Sequence, residues 1–331
     1  MILVNNNDNR DASINLALDE WCVRNLDVTD KNYILFYINS PSIIIGKHQN
    51  TIEEINSEFV SENNIKVVRR ISGGGAVYHD EGNLNFSFIT KYTNDRIHNF
   101  KKFTEPVLNA LNSIGVNAIL GGRNDITVEG RKISGNAQFS NTRSMFSHGT
   151  LLFNSNLENV VQALNVKIDK IQSKGIKSIK SRVANIKEFL NKDISIEDFK
   201  KILLENIFEN IKNYPVFDLT EKQWGEVESI ADKKYRTWEW NYGRSPEFNI
   251  QKIHRFDFGQ IDARINVKDG IIQEIKLYGD FLGYGEMNEI ENKLVGKKYK
   301  DTEIESALSE FKLNELIGDI SKKEFAKFLF V

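Results

Sequence analysis

The chain has 331 residues, of which 40% are hydrophobic, and this length and composition predict one large domain followed by a smaller one. Its 44 basic and 46 acidic residues leave a formal net charge of −2, which argues against a broad nucleic-acid-binding surface. No apolar run is long enough to span a bilayer and no signal-like start is present. We therefore expect a soluble cytoplasmic protein, with neither nucleic acid nor membrane among its partners.

The first predicted element is a helix capped near Ser13, in which apolar residues such as Leu16, Leu18 and Trp21 recur periodically. The one cysteine, Cys22, lies in this helix. No intrachain disulfide and no cysteine-based zinc cluster can therefore form, and a reducing compartment is expected. Because free cysteine commonly behaves as a small hydrophobic residue, we interpret Cys22 as a buried structural thiol and not as a nucleophile.

Strand-forming and helix-forming runs follow each other up to residue 89. Strands are predicted at residues 33–38 and 42–45, a helix at 52–60, and a further strand at 65–68. Residues 84–89 alternate between apolar and polar side chains, which is typical of a half-buried strand. Sheet therefore flanks a glycine-rich stretch on both sides.

Three consecutive glycines in that stretch, Gly73 to Gly75, follow the pair Arg69-Arg70. Glycine accepts positive φ and has no Cβ, so successive amides can converge on a phosphate or carboxylate while either arginine supplies charge. A plain turn or bulge explains the triplet equally well. Neither a Walker A pattern nor a Gly-x-Gly-x-x-Gly that opens a helix occurs, which excludes a P-loop or Rossmann site of the usual kind.

The middle of the chain predicts a helix at 99–114, a hairpin at 126–134 and a strand at 148–153. Glu129-Gly130 forms the predicted turn of the hairpin, which places Lys132 on a strand. Six basic residues then occur between 167 and 182. They fit a solvated surface, or a contact of Lys177 and Arg182 with a phosphate or an acidic partner, and their spacing does not decide between the two.

The last third predicts a helix at 196–211, whose apolar face includes Ile211, and a domain boundary near Gly243. Strands are then predicted at 255–258, 261–267 and 271–277, followed by helices at 286–294 and 321–330. Helices and strands in this order predict an α/β or α+β fold.

Several separated stretches resemble the lipoate-protein ligase family, in the same order along the chain. They are residues 14–20, 45–50, 69–85, 122–125, 132–137, 148–151, 174–183 and 238–244. The likeness spans nearly the whole chain. It implies a biotin/lipoate-ligase-type catalytic domain of mixed β-sheets with flanking helices at residues 1–243, and a small α/β C-terminal accessory domain at 244–331.

The resemblance implies a two-step acyl transfer. Lipoate attacks the α-phosphorus of MgATP to give lipoyl-adenylate and pyrophosphate, and a lysine of a lipoyl-domain protein then attacks the adenylate. The implied cofactors are ATP and Mg²⁺, with lipoate as a substrate. The implied acceptors are the glycine cleavage H protein and the E2 subunits of 2-oxoacid dehydrogenases.

The resemblance also implies site residues. Those implied to bind ATP or the adenylate are Arg70, Gly75, Ala76, Val77, Tyr78, Asn83, Asn124, Asp125, Lys132 and Arg182. Those implied to bind lipoate are Leu16, Leu18, Tyr37, Arg70, Ser72, Gly74, Gly75, Val77, His79, Lys132, Ala137, His148 and Gly149. Lys132 is the implied catalytic residue, which contacts both the lipoate carboxyl and the phosphate, and Asp125 is the implied Mg²⁺ ligand.

By residue type alone, each of these positions has a structural interpretation as well. Lys132 fits an exposed hairpin lysine, Asn124 and Asp125 fit turn residues, and His79 and His148 fit hydrogen-bonded residues of a sheet. Most of the apolar candidates fit core packing. The matching residues on both sides of Lys132 favour the functional interpretation there.

Four other functions need weighing. A cofactorless lipoyl or octanoyl transferase, acting through a thioester, needs a nucleophilic cysteine in the acyl site, and Cys22 lies outside the matched acyl motifs. A related transferase could act from a preformed adenylate or an acylated carrier protein. A biotin-protein ligase usually has a Gly-Arg-Gly-Arg loop, which is absent. A non-enzymatic lipoate-sensing module would bind without turnover.

Overall fold

The computed structural model of the chain describes residues 1–164, 182–211, 213–243, 248–281, 283 and 286–330. It divides into two compact units, each assembled from separate parts of the sequence. Unit 1 consists of Met1–Ile44, Ile55–Val68 and Val77–Thr237. Unit 2 consists of Ile45–Glu54, Arg69–Ala76 and Trp238–Val331. The glycine triplet therefore belongs to unit 2, although it lies in the first quarter of the sequence.

The described strands are numbered in chain order. They are β1 Ile2–Val4, β2 Tyr33–Ile38, β3 Ser42–Ile45, β4 Lys66–Arg69, β5 Val77–His79, β6 Asn83–Lys91, β7 Ile119–Gly121, β8 Asp125–Val128, β9 Arg131–Ser140, β10 Ser144–Leu152, β11 Val216–Phe217, β12 Ile250–Phe256, β13 Gly259–Lys268 and β14 Ile271–Gly279.

The described α-helices are numbered in the same way. They are α1 Ala12–Asn25, α2 Thr51–Glu54, α3 Ser57–Glu62, α4 Phe100–Ser113, α5 Leu157–Ala163, α6 Ile196–Ile207, α7 Glu221–Ile230, α8 Trp238–Asn241, α9 Met287–Leu294, α10 Asp301–Ala307, α11 Leu313–Leu316 and α12 Lys322–Phe330. A 3₁₀ turn covers Ile186–Phe189, and a π-helical turn, Ala231–Tyr235, continues α7. Among the described residues, no helix combines the length and the apolar composition that a membrane crossing requires.

Unit 1 is built on an eight-stranded mixed sheet with the order β11-β1-β2-β6-β10-β9-β8-β7, and a smaller sheet has the order β4-β3-β5. Directly opposed residues of antiparallel strands point to the same face of a sheet. One face of the large sheet is apolar: Phe86 of β6 lies opposite Phe36 of β2 and belongs to the main core. Helices α4 and α6 complete that core, for example through Val107 and Leu203. Burial on this face fixes the strand register.

The opposite face of the large sheet is polar but buried. Asn83, Asn85 and Ser87 of β6 alternate with its apolar residues, and Tyr37 and His148 lie opposite Asn85 and Ser87. Helix α1 covers this face, and all its residues from Ala12 to Val23 are buried. This face carries four of the unit 1 residues that were predicted to bind ligands, namely Tyr37, Asn83, Ala137 and His148.

Unit 2 contains a three-stranded antiparallel sheet with the order β12-β13-β14. Ile261 and Leu277 of this sheet are buried in one core with Ile290 of α9, Ile304 of α10 and Phe325 of α12. The strands predicted at 261–267 and 271–277 are confirmed, as parts of β13 and β14.

Most predicted elements exist, and the fold class is confirmed. The helix cap expected near Ser13 is confirmed, because Asp11 is the N-cap of α1 and its carboxylate accepts from the Ser13 N–H. Three local predictions were wrong. The helix predicted at 52–60 is two helices, because Asn56 caps a new helix, α3. Strand β6 is buried on both faces and not on one, with Ser87 fully buried, because α1 covers its polar side.

The third wrong prediction concerns the helix expected at 196–211. Helix α6 ends at Ile207, and Glu209 and Asn210 adopt positive φ values of 53° and 62°, which an α-helix cannot continue. Ile211 is consequently 57% exposed and does not join the apolar face.

Candidate active site

Lys132 lies on the β8–β9 hairpin of unit 1. Glu129 and Gly130 connect the two strands with φ values of 51° and 75°, the positive angles that favour a tight two-residue turn. The predicted hairpin, its turn and the strand position of Lys132 are confirmed. The register shifts between Ile126 and Thr127, so that β9 contains a bulge directly after Lys132.

The Lys132 ammonium pairs with a carboxylate on the neighbouring strand. Lys132 Nζ lies 2.8 Å from Asp125 Oδ1, and the two side chains are 37% and 35% exposed. Gly135 makes this arrangement possible, because a Cβ there would lie 2.9 Å from Lys132 Nζ. The hairpin therefore presents a partly exposed cation and a partly exposed carboxylate side by side.

The segment that begins at Arg182 runs along the backbone of Lys132. The Lys132 N–H donates to the Arg182 carbonyl oxygen at 2.6 Å, and the Ala184 N–H donates to the Lys132 carbonyl oxygen at 3.0 Å. Val183 forms the corresponding parallel bridge with Lys132. These contacts place Arg182 next to Lys132, as predicted for two residues of one site. Lys177 and the other lysines from 167 to 180 lie outside the described residues.

The asparagines that were predicted to bind nucleotide have different surroundings. Asn83 is fully buried and donates to Asn85 Oδ1 at 2.9 Å, while no hydrogen-bond partner of Asn83 Oδ1 lies among the described residues. The Asn124 amide donates to the carbonyl oxygen of Asn136, and the Asn136 amide donates to that of Asn124. Asn83 therefore presents a buried acceptor, whereas Asn124 joins β8 to β9 as a structural residue does.

Both histidines are buried and hydrogen-bonded within unit 1. His148 Nδ1 lies 3.0 Å from Asp19 Oδ2 of α1, and His79 Nδ1 lies 3.0 Å from the side-chain nitrogen of Asn39. The hydrogen-bonded interpretation of these histidines is confirmed. Asp19 was missed as a candidate, although an acidic pair inside an apolar helix was visible in the sequence.

The second member of that pair, Glu20, is buried and lies at the centre of a cluster of three side-chain donors. It accepts from Lys234 at 2.8 Å, from the Tyr235 hydroxyl at 2.7 Å and from Arg24 at 2.9 Å. Burial alone would raise the pKa of Glu20, but the Lys234 ammonium and these hydrogen bonds outweigh burial and lower it. Lys234 and Tyr235 belong to the π-helical turn, a position that the sequence did not reveal.

Four of the apolar lipoate candidates of unit 1 are buried, and Val77 is half-buried. Leu16, Leu18, Tyr37 and Ala137 are between 0% and 6% exposed. Gly149 faces the main core, because a Cβ there would lie 2.2 Å from Asn136 Oδ1 and 2.6 Å from the Phe86 ring. Close packing thus explains that glycine. Tyr78 is also buried, and its hydroxyl accepts from Asn159 at 3.4 Å.

Arg69, in unit 2, was one of two arginines expected to supply charge to a ligand. It is 1% exposed and donates to the carbonyl oxygens of five residues and to the Thr51 hydroxyl. The five are Gly46, Lys47, Gln49, Trp240 and Asn241. Such a set of partners joins three chain segments, so Arg69 is a structural residue of unit 2 and not the ligand-binding arginine.

The Arg70 side chain instead turns back onto the glycine loop, which is the loop formed by Gly73 to Gly75 and their immediate neighbours. Its guanidinium donates to the Ser72 hydroxyl at 3.0 Å, to the Gly73 carbonyl oxygen at 2.6 Å and to the Gly75 carbonyl oxygen at 2.9 Å. Gly74 has a φ of 91°, and a Cβ on Gly75 would meet no atom within 4 Å. The loop therefore has the backbone conformation and the open approach that glycine permits, with Arg70 held at its base.

The metal prediction rests on Asp125. The described residues contain no group of three or more histidine, cysteine, aspartate or glutamate side chains that could hold a metal ion. Asp125 does provide one accessible carboxylate, which is the number of protein ligands that a phosphate-bound Mg²⁺ often uses.

Comparisons with known proteins identify the family. A family profile described as the lipoyl protein ligase A/B catalytic domain matches residues 11–208, and one described as the bacterial lipoate protein ligase C-terminus matches residues 245–329. This chain belongs to the lipoyl protein ligase A/B family. Lipoate-protein ligase LplJ of Bacillus subtilis, a member of the same group, is 54% identical over 100% of both chains.

Three solved structures of similar proteins share the fold. P. falciparum LipL1, in complex with lipoate, superimposes with a TM-score of 0.77 at 26% identity and covers 94% of both chains. A bipartite ligase of Thermoplasma acidophilum, described with its E2 lipoyl domain, has a TM-score of 0.66 at 31% identity and covers 75% of this chain and 98% of its own. Lipoate-protein ligase A bound with ATP has a TM-score of 0.62 at 30% identity, with coverage of 73% and 97%.

Proposed function

We propose that this lipoate-protein ligase joins lipoate to a lysine of lipoyl domains in an ATP-dependent reaction that passes through lipoyl-adenylate. The observation that carries the proposal is the Lys132–Asp125 pair, a partly exposed cation on a rigid hairpin in a chain of this family. Adenylation brings a carboxylate to a phosphate, and a positioned cation stabilises the negative charge that develops between them. Lys132 supplies that cation.

The remaining site residues act on the two substrates. We propose that Arg70, the loop residues from Gly75 to Tyr78, Asn83, Asn124, Asp125, Lys132 and Arg182 bind ATP and the adenylate. For lipoate we propose the buried apolar residues Leu16, Leu18, Tyr37 and Ala137, together with Ser72, Gly74, Val77, His79, His148 and Gly149. Relatives described with ATP and with lipoate support these two ligands.

Mg²⁺ is part of the proposal. The single accessible carboxylate of Asp125 suits an ion whose other ligands are phosphate oxygens and water. When bound, such an ion neutralises phosphate charge. Lys132, which lies 2.8 Å from Asp125, then holds the carboxylate in place.

We propose the E2 subunits of 2-oxoacid dehydrogenases and the glycine cleavage H protein as acceptors. The relative described with its E2 lipoyl domain supports the first of these. The catalytic part is proposed to cover residues 1–243 and the accessory part 244–331, in a cytoplasmic protein.

The thioester transferase is the main alternative, and one observation counts against it. Cys22 is 0% exposed, and burial raises the pKa of its thiol well above the usual value. A protonated, enclosed thiol is a poor nucleophile. No other cysteine is present in the chain.

The test is mass spectrometry of apo H protein and an apo E2 lipoyl domain after incubation with the protein, lipoate and MgATP, with ATP omitted in a parallel reaction. We expect a lipoyl adduct on a lysine only when ATP is present, together with lipoate-dependent release of pyrophosphate. Transfer from lipoyl-adenylate or from an acylated donor protein, with none from lipoate and ATP, would overturn the ligase in favour of a transferase. Binding of lipoate without any transfer would indicate a sensing module.

A further inference from the structure

Residues 45–47 lie directly beside the glycine loop in unit 2. The Lys47 N–H donates to the Ser72 carbonyl oxygen at 2.9 Å, and the Arg70 N–H donates to the Ile45 carbonyl oxygen at 2.9 Å. Gly46 is packed so closely that a Cβ there would lie 1.9 Å from the Gly74 carbonyl oxygen. The lysine that follows Gly46 is therefore a neighbour of the loop, and its side chain is only 7% exposed.

Two donors in this region contact oxygen atoms from a single short stretch of chain. The Gly74 N–H donates to the Phe281 carbonyl oxygen at 3.3 Å, and Lys47 Nζ lies 2.8 Å from Glu286 Oε1. The Phe281 ring stacks on His48, with the ring centres 4.8 Å apart and the planes 13° apart. A glycine-loop amide and an adjacent ammonium are the kind of donors that bind an oxyanion. Here both contact protein oxygens.

The two members of the Lys47–Glu286 pair differ in exposure. The Lys47 side chain is buried, whereas the Glu286 side chain is 60% exposed. A buried ammonium is costly without an anionic partner, but an exposed carboxylate can move into water at little cost. The pair is therefore arranged so that the lysine stays in place while its anion can be exchanged for another.

We propose that Lys47 is a further oxyanion-binding residue of this enzyme, and that the Glu286 carboxylate competes with a substrate oxyanion for it. The inference rests on the proposed function, because the oxyanion is either a phosphate of ATP or the carboxylate of lipoate. Glu286 then acts as an internal inhibitor that keeps the Lys47 ammonium paired until substrate replaces it.

Substitutions of Glu286 and of Lys47 should change the affinity for substrate in opposite directions. Glu286→Gln removes the competitor, so the substrate should bind more tightly, by about three- to tenfold. Lys47→Met removes the binding cation, so the substrate should bind about tenfold or more weakly, and Lys47→Arg should restore most of the affinity. A purely structural ion pair would lower affinity or leave it unchanged in both variants.

The experiment is calorimetric titration of MgATP, and separately of lipoate, into the unaltered protein and the variants. Glu289→Gln is the matched control, because Glu289 is an exposed acid in the first turn of α9, the helix that Glu286 directly precedes. Thermal unfolding of each variant verifies that it is folded, and Glu286→Gln, a surface substitution, keeps the test decisive if Lys47→Met does not fold.

Tighter binding of MgATP by Glu286→Gln would identify a phosphate as the oxyanion, and tighter binding of lipoate would identify its carboxylate. Affinities equal to those of the unaltered protein for both ligands would overturn the inference while leaving the proposed function intact. If the unaltered protein binds neither ligand, the proposed function fails and the inference fails with it.

Discussion

Arg69 and Lys132 are both cations in matched family motifs, but their surroundings differ completely. Arg69 is 1% exposed and donates to carbonyl oxygens of two other chain segments, residues 46–49 and 240–241. Lys132 is 37% exposed and contacts one carboxylate, that of Asp125. The difference teaches that a cation beside a glycine loop need not serve the ligand. The number of internal acceptors, and not the sequence motif, separates a structural cation from one that can bind substrate.

The largest expected effect is on stability, at Arg69. Arg69→Met should lower the free energy of unfolding by about 3–5 kcal/mol, because several buried carbonyl oxygens lose their donor. Urea denaturation followed by circular dichroism measures this. Arg70→Met is the matched control, which should unfold closer to the unaltered protein but lose adenylation. An Arg69→Met variant that keeps its stability and loses only substrate binding would reverse the assignment of the two arginines.

The second largest expected effect is on the rate of adenylation, in a variant of Lys132. Lys132→Ala should slow lipoate-dependent pyrophosphate release by about 100-fold or more, because the main cation at the reacting groups is lost. The protein should remain folded, since the side chain is partly exposed. The neighbouring Arg131, which pairs with Glu188 and stacks on Phe189, provides the control variant Arg131→Ala. Near-normal activity of Lys132→Ala would contradict the proposed mechanism.

Asp125 has two proposed roles, as the partner of Lys132 and as a ligand of Mg²⁺, and a variant can separate them. Asp125→Asn should reduce the adenylation rate by about tenfold, since the amide keeps the shape but loses the charge beside Lys132. If Asp125 also binds Mg²⁺, the Mg²⁺ concentration for half-maximal rate should rise. Steady-state rates over a Mg²⁺ titration distinguish the two: a lower maximal rate at an unchanged Mg²⁺ requirement would leave only the positioning of Lys132.

Glu20 resembles Arg69 in that several side chains of the protein itself satisfy its hydrogen bonds, but it is an acid. Its pKa is lowered in the folded protein, so its contribution to stability is complete above the ordinary value of 4.5 and is lost as the pH falls through the folded value. Glu20→Gln should therefore cost about 1 kcal/mol at neutral pH, and the difference from the unaltered protein should shrink in acid. Urea unfolding at a series of pH values measures this. A difference that grows in acid would contradict it.

The smallest expected effect is at Cys22. Because the thiol is enclosed and its pKa is raised by burial, Cys22→Ala should retain the ligase rate within about twofold. The mass-spectrometric transfer assay measures this. Abolished transfer in a variant that melts normally would revive the thioester mechanism.

The sequence predicted best what depends on local chemistry. Glu129-Gly130 marked the hairpin turn, because few other residue pairs accept two positive φ angles, and the turn fixed Lys132 on its strand. Strand β2 was predicted at its observed bounds for a similar reason, as a continuous run of strand-forming residues. Family resemblance, and not residue pattern, singled out Lys132 from the other surface lysines.

Long-range packing decided what the sequence did not reveal. Alternation in β6 predicted one exposed face, but α1 covers that face, and its Asp19 reaches His148 across 129 positions of sequence. Nothing local distinguishes Arg69 from Arg70, since the role of Arg69 depends on Trp240 and Asn241, about half the chain away. The cluster around Glu20 could not be predicted for the same reason, because its partners Lys234 and Tyr235 lie 214 and 215 positions later in the chain.

The discontinuous make-up of unit 2 has a consequence for the order of folding. A chain emerges from the ribosome from its N-terminus, and contacts between distant residues form late. Lys132 and Asp125 lie seven positions apart and can meet as soon as their hairpin is made. Arg69 must wait for Asn241, 172 positions later, before its donors are satisfied. The nascent protein can thus form its Lys132–Asp125 pair well before Asn241 anchors Arg69 beside the glycine loop, so a chain that stopped before Trp238 would carry the first contact and lack the second.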